Sequence, residues 1–119
     1  MGLFSSKEKE VFPWVKLTSS DQLHELIESS EAKPVVFFKH STRCSISSMA
    51  LNRFENKMNP QNCTCVYLDL LAYRALSAEI EQLMKVEHQS PQAILMNHHQ
   101  VIYSATHSEI DASEIMNLI

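Results

Sequence analysis

The six residues 34–39, PVVFFK, constrain this chain more than any other stretch. An almost continuous apolar run with β-branched and aromatic residues predicts a central strand covered on both faces. Its proline stands first, where a strand tolerates the missing N–H. Such a strand needs helices on either side, and the flanking sequence supplies them. Residues 14–17 read as a short strand, and residues 18–21 carry helix-start chemistry ahead of Leu23, Leu26 and Ile27 on one helix face. Residues 29–33 break that helix. After a loop at residues 40–43, Ile46, Met49, Ala50, Phe54 and Met58 recur at helical spacing over residues 44–58, and NPQN ends the pattern. CTCVYLDLL (63–71) reads as a second buried strand, and Leu76, Ile80, Leu83 and Met84 mark a helix over residues 72–87.

Two apolar runs, QAILM and VIYSA, are joined by residues 97–100, which predicts an antiparallel hairpin with Asn97 or a histidine at positive φ. Asp111 begins a closing helix of about two turns, with Glu114 placed for a capping box and Ile110 for a staple to Ile115. Strands separated by helices are joined by crossovers, so the first part is parallel and the hairpin is antiparallel. The expected fold is α/β with three layers, a central mixed sheet between helices.

A length of 119 residues with 45% hydrophobic content fits one domain whose core needs no disulfide staples. Residues 1–12 read as a loose leader and residues 13–119 as that domain. The only glycine is Gly2, so neither a P-loop nor a dinucleotide fingerprint is present. A net charge of -4 offers no basic field for nucleic acid or an anionic membrane. No apolar run reaches a membrane span, and Lys7 interrupts the start of the chain before a signal-peptide core, so the expected location is the cytoplasm. Met1, Gly2 and Ser6 match the short myristoylation pattern, read as fortuitous.

Three cysteines in a reducing compartment argue against a disulfide framework. Cys44 stands out, because it begins the helix that leaves the central strand. There it faces unpaired backbone N–H groups and the positive end of the helix dipole, and both favour thiolate. Arg43 adds positive charge, and Ser47 is placed to donate its hydroxyl toward the sulfur.

The element order, PVVFFK, the thiol at the next helix start and Ser90-Pro91 before a strand resemble the thioredoxin fold. FKHSTRCSIS together with HQSPQ resembles the monothiol bacilliredoxin-like proteins of the bacillithiol system, a general stress family, over residues 14–118. That resemblance implies Cys44 as the active cysteine, Ser47 in place of a resolving cysteine, and a cis-proline wall of Ser90 and Pro91. His40, four residues before Cys44, joins the substrate side of the site, with solvent exposure as its expected state. Relatives commonly have proline after the cysteine, whereas this chain has Ser45.

A C-x-x-S site cannot close a disulfide across its own helix turn. The implied activity is monothiol thiol–disulfide exchange, in which Cys44 removes a low-molecular-weight thiol from protein mixed disulfides. The small thiol, bacillithiol-like, is a co-substrate, and no tightly bound cofactor or metal is expected. Protein mixed disulfides are the expected partners. The alternatives are a non-catalytic thioredoxin-like binding or redox-sensing module and, ranked last, an iron–sulfur carrier, whose usual Gly-Phe is here Ser45-Ile46. Cys63 and Cys65 read as buried structural thiols, with one of them reaching Cys44 as the lesser reading. The six histidines, His24, His40, His88, His98, His99 and His107, lack a zinc-site spacing.

Overall fold

A computed structural model describes residues 11–119. Its elements are β1 (Val15–Lys16), α1 (Ser20–Ser29), β2 (Val35–His40), α2 (Ser45–Lys57), β3 (Thr64–Asp69), α3 (Arg74–Met84), β4 (Gln92–Asn97), β5 (Gln100–Thr106), a 3-10 turn (His107–Glu109) and α4 (Ala112–Asn117). They form a five-stranded sheet in the order β1-β3-β2-β4-β5. β3 runs parallel to both β1 and β2, while β2–β4 and β4–β5 are antiparallel. The parallel crossovers and the added hairpin follow the element order read from the sequence.

All six residues of β2 are buried, because helices cover the sheet on both sides. Val36 and Phe38 face one core with Ala50, Phe54, Met58, Leu95 and Ile115, beneath α2 and α4. Val35 and Phe37 face the other with Leu23, Leu76, Ile80 and Ile94, beneath α1 and α3. The strand reaches one residue past the expected end, so His40 is its last residue rather than part of the loop.

Local chemistry fixes the element ends. Ser19 caps α1 by accepting from Gln22 N, and Asp111 caps α4 by accepting from Ser113 N. The backbone N–H of Asp111 donates to Tyr103 Oη at 3.2 Å and its side chain accepts from Ser113 N rather than Glu114 N, so a single cap bond stands where a capping box with Glu114 was expected. In α2 the buried stripe is Ser47, Ala50, Phe54 and Met58. Ile46 and Met49, expected on that face, each lie about 100° round the helix from it and are exposed. Leu83 is likewise exposed on α3. Of the expected leader, residues 1–10, with the myristoylation match, lie outside the described residues, and Phe12 packs against Trp14 at 4.8 Å between ring centroids.

With no glycine inside the domain, other residues take the left-handed backbone positions. Both His98 and His99 have positive φ, 53° and 65°, and make the two-residue turn of the hairpin. Ser30 holds that turn, its carbonyl accepting from His98 N and its hydroxyl oxygen accepting from His99 N, both at 2.9 Å. Lys85 terminates α3 at φ 56°, an exposed residue in a conformation that glycine adopts without a Cβ clash. Lys85→Gly is therefore expected to raise stability by up to about 1 kcal/mol, read from the urea midpoint.

Candidate functional site

The C-terminal ends of parallel strands gather loops at one edge of the sheet, which is where α/β folds place their sites. β2 ends at His40, and residues 41–43 lead directly to Cys44. Cys44 occupies the N-cap of α2 with φ -111° and ψ 119°. Its N–H donates to Ser41 O at 3.1 Å, and its carbonyl accepts the first helical bond, from Ser48 N at 3.0 Å. The Cys44 side chain makes no cap bond, and among the described residues the first-turn N–H groups of α2 open beside a half-buried free thiol. Arg43 is exposed next to it.

Pro91 arrives at the same edge by strand register. Lys39 on β2 pairs with Gln92 on β4, and because the strands are antiparallel Pro91 lies one step further, level with His40. The Ser90–Pro91 peptide bond is cis. The carbonyl of Pro91 accepts from His107 N, whereas the backbone N–H and C=O of Ser90 have no partner among the described residues. Ser90 Oγ is also buried without a partner. The edge beside Pro91 thus holds unused polar backbone.

Two expectations need correction. His40 is not exposed: only 5% of its surface is accessible, because its strand position turns the side chain under α2. Ser47 does not donate to the Cys44 sulfur among the described residues. Its fully buried hydroxyl instead lies 2.7 Å from His40 Nδ1 and accepts from Ser41 N at 3.1 Å. These contacts tie the end of β2, the loop and the first turn of α2 together. Burial holds the His40 imidazole below its ordinary range, and the charges of Asp69 and Glu55 act in the opposite direction. The ring packs on Tyr67 with centroids 5.5 Å apart.

Cys63 and Cys65 are both buried, with sulfurs 3.8 Å apart and unbonded. The thiol of Cys65 is pushed up by its hydrogen bond to Cys63 and by burial. Cys65 pairs with Val36, four residues before His40, so it sits about 13 Å down the strand from the end that leads to Cys44. Cys63 lies further still. Neither is positioned to resolve Cys44.

Beneath the loop leading to Pro91 lies a group that sequence reading did not single out. Lys39 is fully buried on the α3 side, with Nζ 3.2 Å from His88 Nδ1 and 3.3 Å from the Ser77 carbonyl. Glu81 accepts from His88 N, and Gln92 Nε2 donates to the Glu87 carbonyl, so residues 87–92 are fastened from below. The signal was a lysine inside an otherwise apolar strand buried on both faces. Burial lowers the Lys39 ammonium from 10.5 to about 8, partly opposed by Glu81. The folded state then binds fewer protons than the unfolded chain between pH 8 and 10.5, so the Lys39 contribution makes stability rise with pH across that window. Lys39→Met is expected to flatten that rise, on the order of 2–3 kcal/mol, in urea titrations at pH 7 and 10.

The remaining histidines lie on the surface or at half-exposed positions, His24 beside Glu79 and His98 and His99 beside Glu28 and Glu31. Among the described residues no group of three or more His, Cys, Asp or Glu side chains is arranged to hold a metal. No described helix is long and apolar enough to cross a membrane.

Solved structures share this fold. A proposed oxidoreductase with a thioredoxin fold is 31% identical over 87% of this chain and 90% of its own, with a TM-score of 0.77. Thioredoxin from Malassezia sympodialis is 16% identical over 91% of this chain and 89% of its own, TM-score 0.68. A chain from work on thiol resolution in yeast mitochondrial 1-Cys peroxiredoxin by the glutathione and thioredoxin systems is 18% identical over 89% and 92%, TM-score 0.69. Sheet order, helix layers and the thiol at the helix start therefore define a thiol oxidoreductase of the thioredoxin fold. Within that class the family described as Monothiol bacilliredoxin BrxC matches residues 15–115, and the chain belongs to it.

Proposed function

We propose that the protein removes a low-molecular-weight thiol from protein mixed disulfides through Cys44. The observation that carries this reading is a half-buried thiol at an uncapped helix N-terminus, with the other two sulfurs at the far end of the sheet. The first-turn amides of α2 open beside the sulfur. The Cys44 thiolate attacks the small thiol's sulfur in the mixed disulfide. The old S–S bond breaks, the target cysteine leaves as thiolate and takes a proton, and the small thiol remains disulfide-bonded to Cys44. A second small thiol, as thiolate, then attacks that adduct, restoring the Cys44 thiolate and releasing the symmetrical disulfide.

Each residue has a role in this cycle. Cys44 is the nucleophile, and Arg43 adds positive charge at the exposed rim. Ser47, where a dithiol enzyme would carry a second cysteine, keeps the sulfur from closing an internal bridge. Ser90 offers its free backbone N–H and C=O to an extended target segment, alongside Pro91. Bacillithiol is the small thiol that the family points to, and the cytoplasm is where such exchange operates.

The test is mass spectrometry of the protein after incubation with a target bearing a bacillithiol mixed disulfide. A discrete adduct on Cys44, appearing as the target is freed, is the expected result. A target freed with no adduct at any time, or an adduct only on Cys63 or Cys65, would overturn the reading.

A further inference from the structure

We propose that Cys63, Cys65 and Met58 form a binding site for a monovalent copper ion, set apart from Cys44 and independent of exchange.

The fold gathers three sulfurs at one point. α2 ends at Met58, and residues 59–62 turn the chain back toward β3, with Cys63 just before that strand and Cys65 within it. All three side chains are buried in the core beneath α2 and α4. Cys63 Sγ lies 3.8 Å from Cys65 Sγ and 3.8 Å from Met58 Sδ. That spacing is far from the ~2.05 Å of a disulfide bond. It suits a shared ion, because sulfurs held about 2.3 Å from one metal stand about 3.8–4.0 Å from each other.

The donor types select the metal. Two thiols and a thioether are soft ligands, which favour monovalent copper over hard cations. Zinc draws on thiolate, imidazole or carboxylate, and a thioether is outside that set. Binding releases the two thiol protons to solvent and moves no electrons. One copper(I) with two thiolates carries one net negative charge. The site is prepared for it: the hydrogen bond from Cys65 draws Cys63 toward thiolate, burial opposes this, and the positive charge of exposed Lys33 assists.

Met58 also lines a cavity of about 660 Å³ together with Phe12, Pro13, Glu55, Asn59 and Pro60. An ion entering there passes the Glu55 carboxylate and meets the thioether first, with the thiols behind it. By strand register Cys65 is level with Val36, at the end of β2 away from the loop that leads to Cys44. Copper held there does not touch the exchange site.

The test uses the full chain carrying Cys44→Ser, so that Cys63 and Cys65 are its only thiols. The reduced protein is titrated without oxygen with the acetonitrile complex of copper(I), in competition with bicinchoninate. One copper per chain is expected to be held against the chelator, with sulfur neighbours only in its X-ray absorption spectrum and a raised melting temperature. Adding Cys63→Ala or Cys65→Ala is expected to weaken binding at least about 100-fold, more than the loss of an outer-shell partner does. Met58→Leu, a volume-conserving change that a core tolerates, is expected to weaken it about tenfold. Copper stripped completely by the chelator, nitrogen or oxygen neighbours, a lowered melting temperature, or tighter binding of zinc would overturn the proposal. So would alanine variants or Met58→Leu that bind as the parent does. If an alanine variant does not fold, Met58→Leu and the absorption spectrum decide by the same criteria.

Discussion

Replacing Cys44 with serine is expected to abolish exchange and at the same time to stabilise the fold. The rate of small-thiol release should fall on the order of 10³-fold or more, because a hydroxyl at this position has no thiolate form to attack a disulfide. Stability should move the other way. Cys44 holds the N-cap of α2 without making a cap bond, and serine is among the preferred residues there, since its oxygen accepts from a first-turn N–H. A gain of roughly 0.5–1 kcal/mol is expected. Thermal melts and a mixed-disulfide release assay on one preparation check both halves. A Cys44→Ser protein that still turns over would move the chemistry elsewhere, and Cys63→Ala with Cys65→Ala, expected to keep full exchange, would show where.

The largest loss of stability is expected at Phe54. This fully buried residue stacks on Trp14 with centroids 5.5 Å apart and meets Phe38 edge-on at 5.4 Å, with Phe12 at 6.2 Å. Phe54→Ala removes the side chain that seats the C-terminal half of α2 on the sheet and leaves a cavity among rings that cannot close in. About 3–5 kcal/mol should be lost, a large share of what a domain of this size has. Urea unfolding followed by Trp14 fluorescence measures it, since the indole lies against the lost ring and bonds to Glu55 at 2.6 Å. A loss below about 1 kcal/mol would mean that the aromatic cluster does not hold the helix.

The strands and caps were legible because their signals are local. PVVFFK reads as a doubly covered strand without reference to anything distant, and so do the position of Cys44 after it and the cap at Asp111. What escaped depends on which way a helix is turned or where a strand stops. A strand buried on both faces has no alternation to mark its end, so the sequence puts His40 in the loop. Its burial and its bond to Ser47 were then invisible. On α2, Ile46 and Met49 match the helical period as well as Ala50 does, and only the seating of Phe54 on the sheet decides that they face solvent. Lys39 reads as part of an apolar strand, and the long-range partner that makes its burial tolerable, His88, lies 49 residues away.

The separation of the three sulfurs has a consequence for how such a molecule behaves in a cell. With Cys65 four strand residues below the end that leads to Cys44, and Cys63 further still, the proposed cycle has no second thiol within the chain to draw on. On the proposed cycle, each turnover would wait on a molecule from outside, so throughput would follow the supply of free small thiol and stall, with Cys44 capped, when that supply runs down.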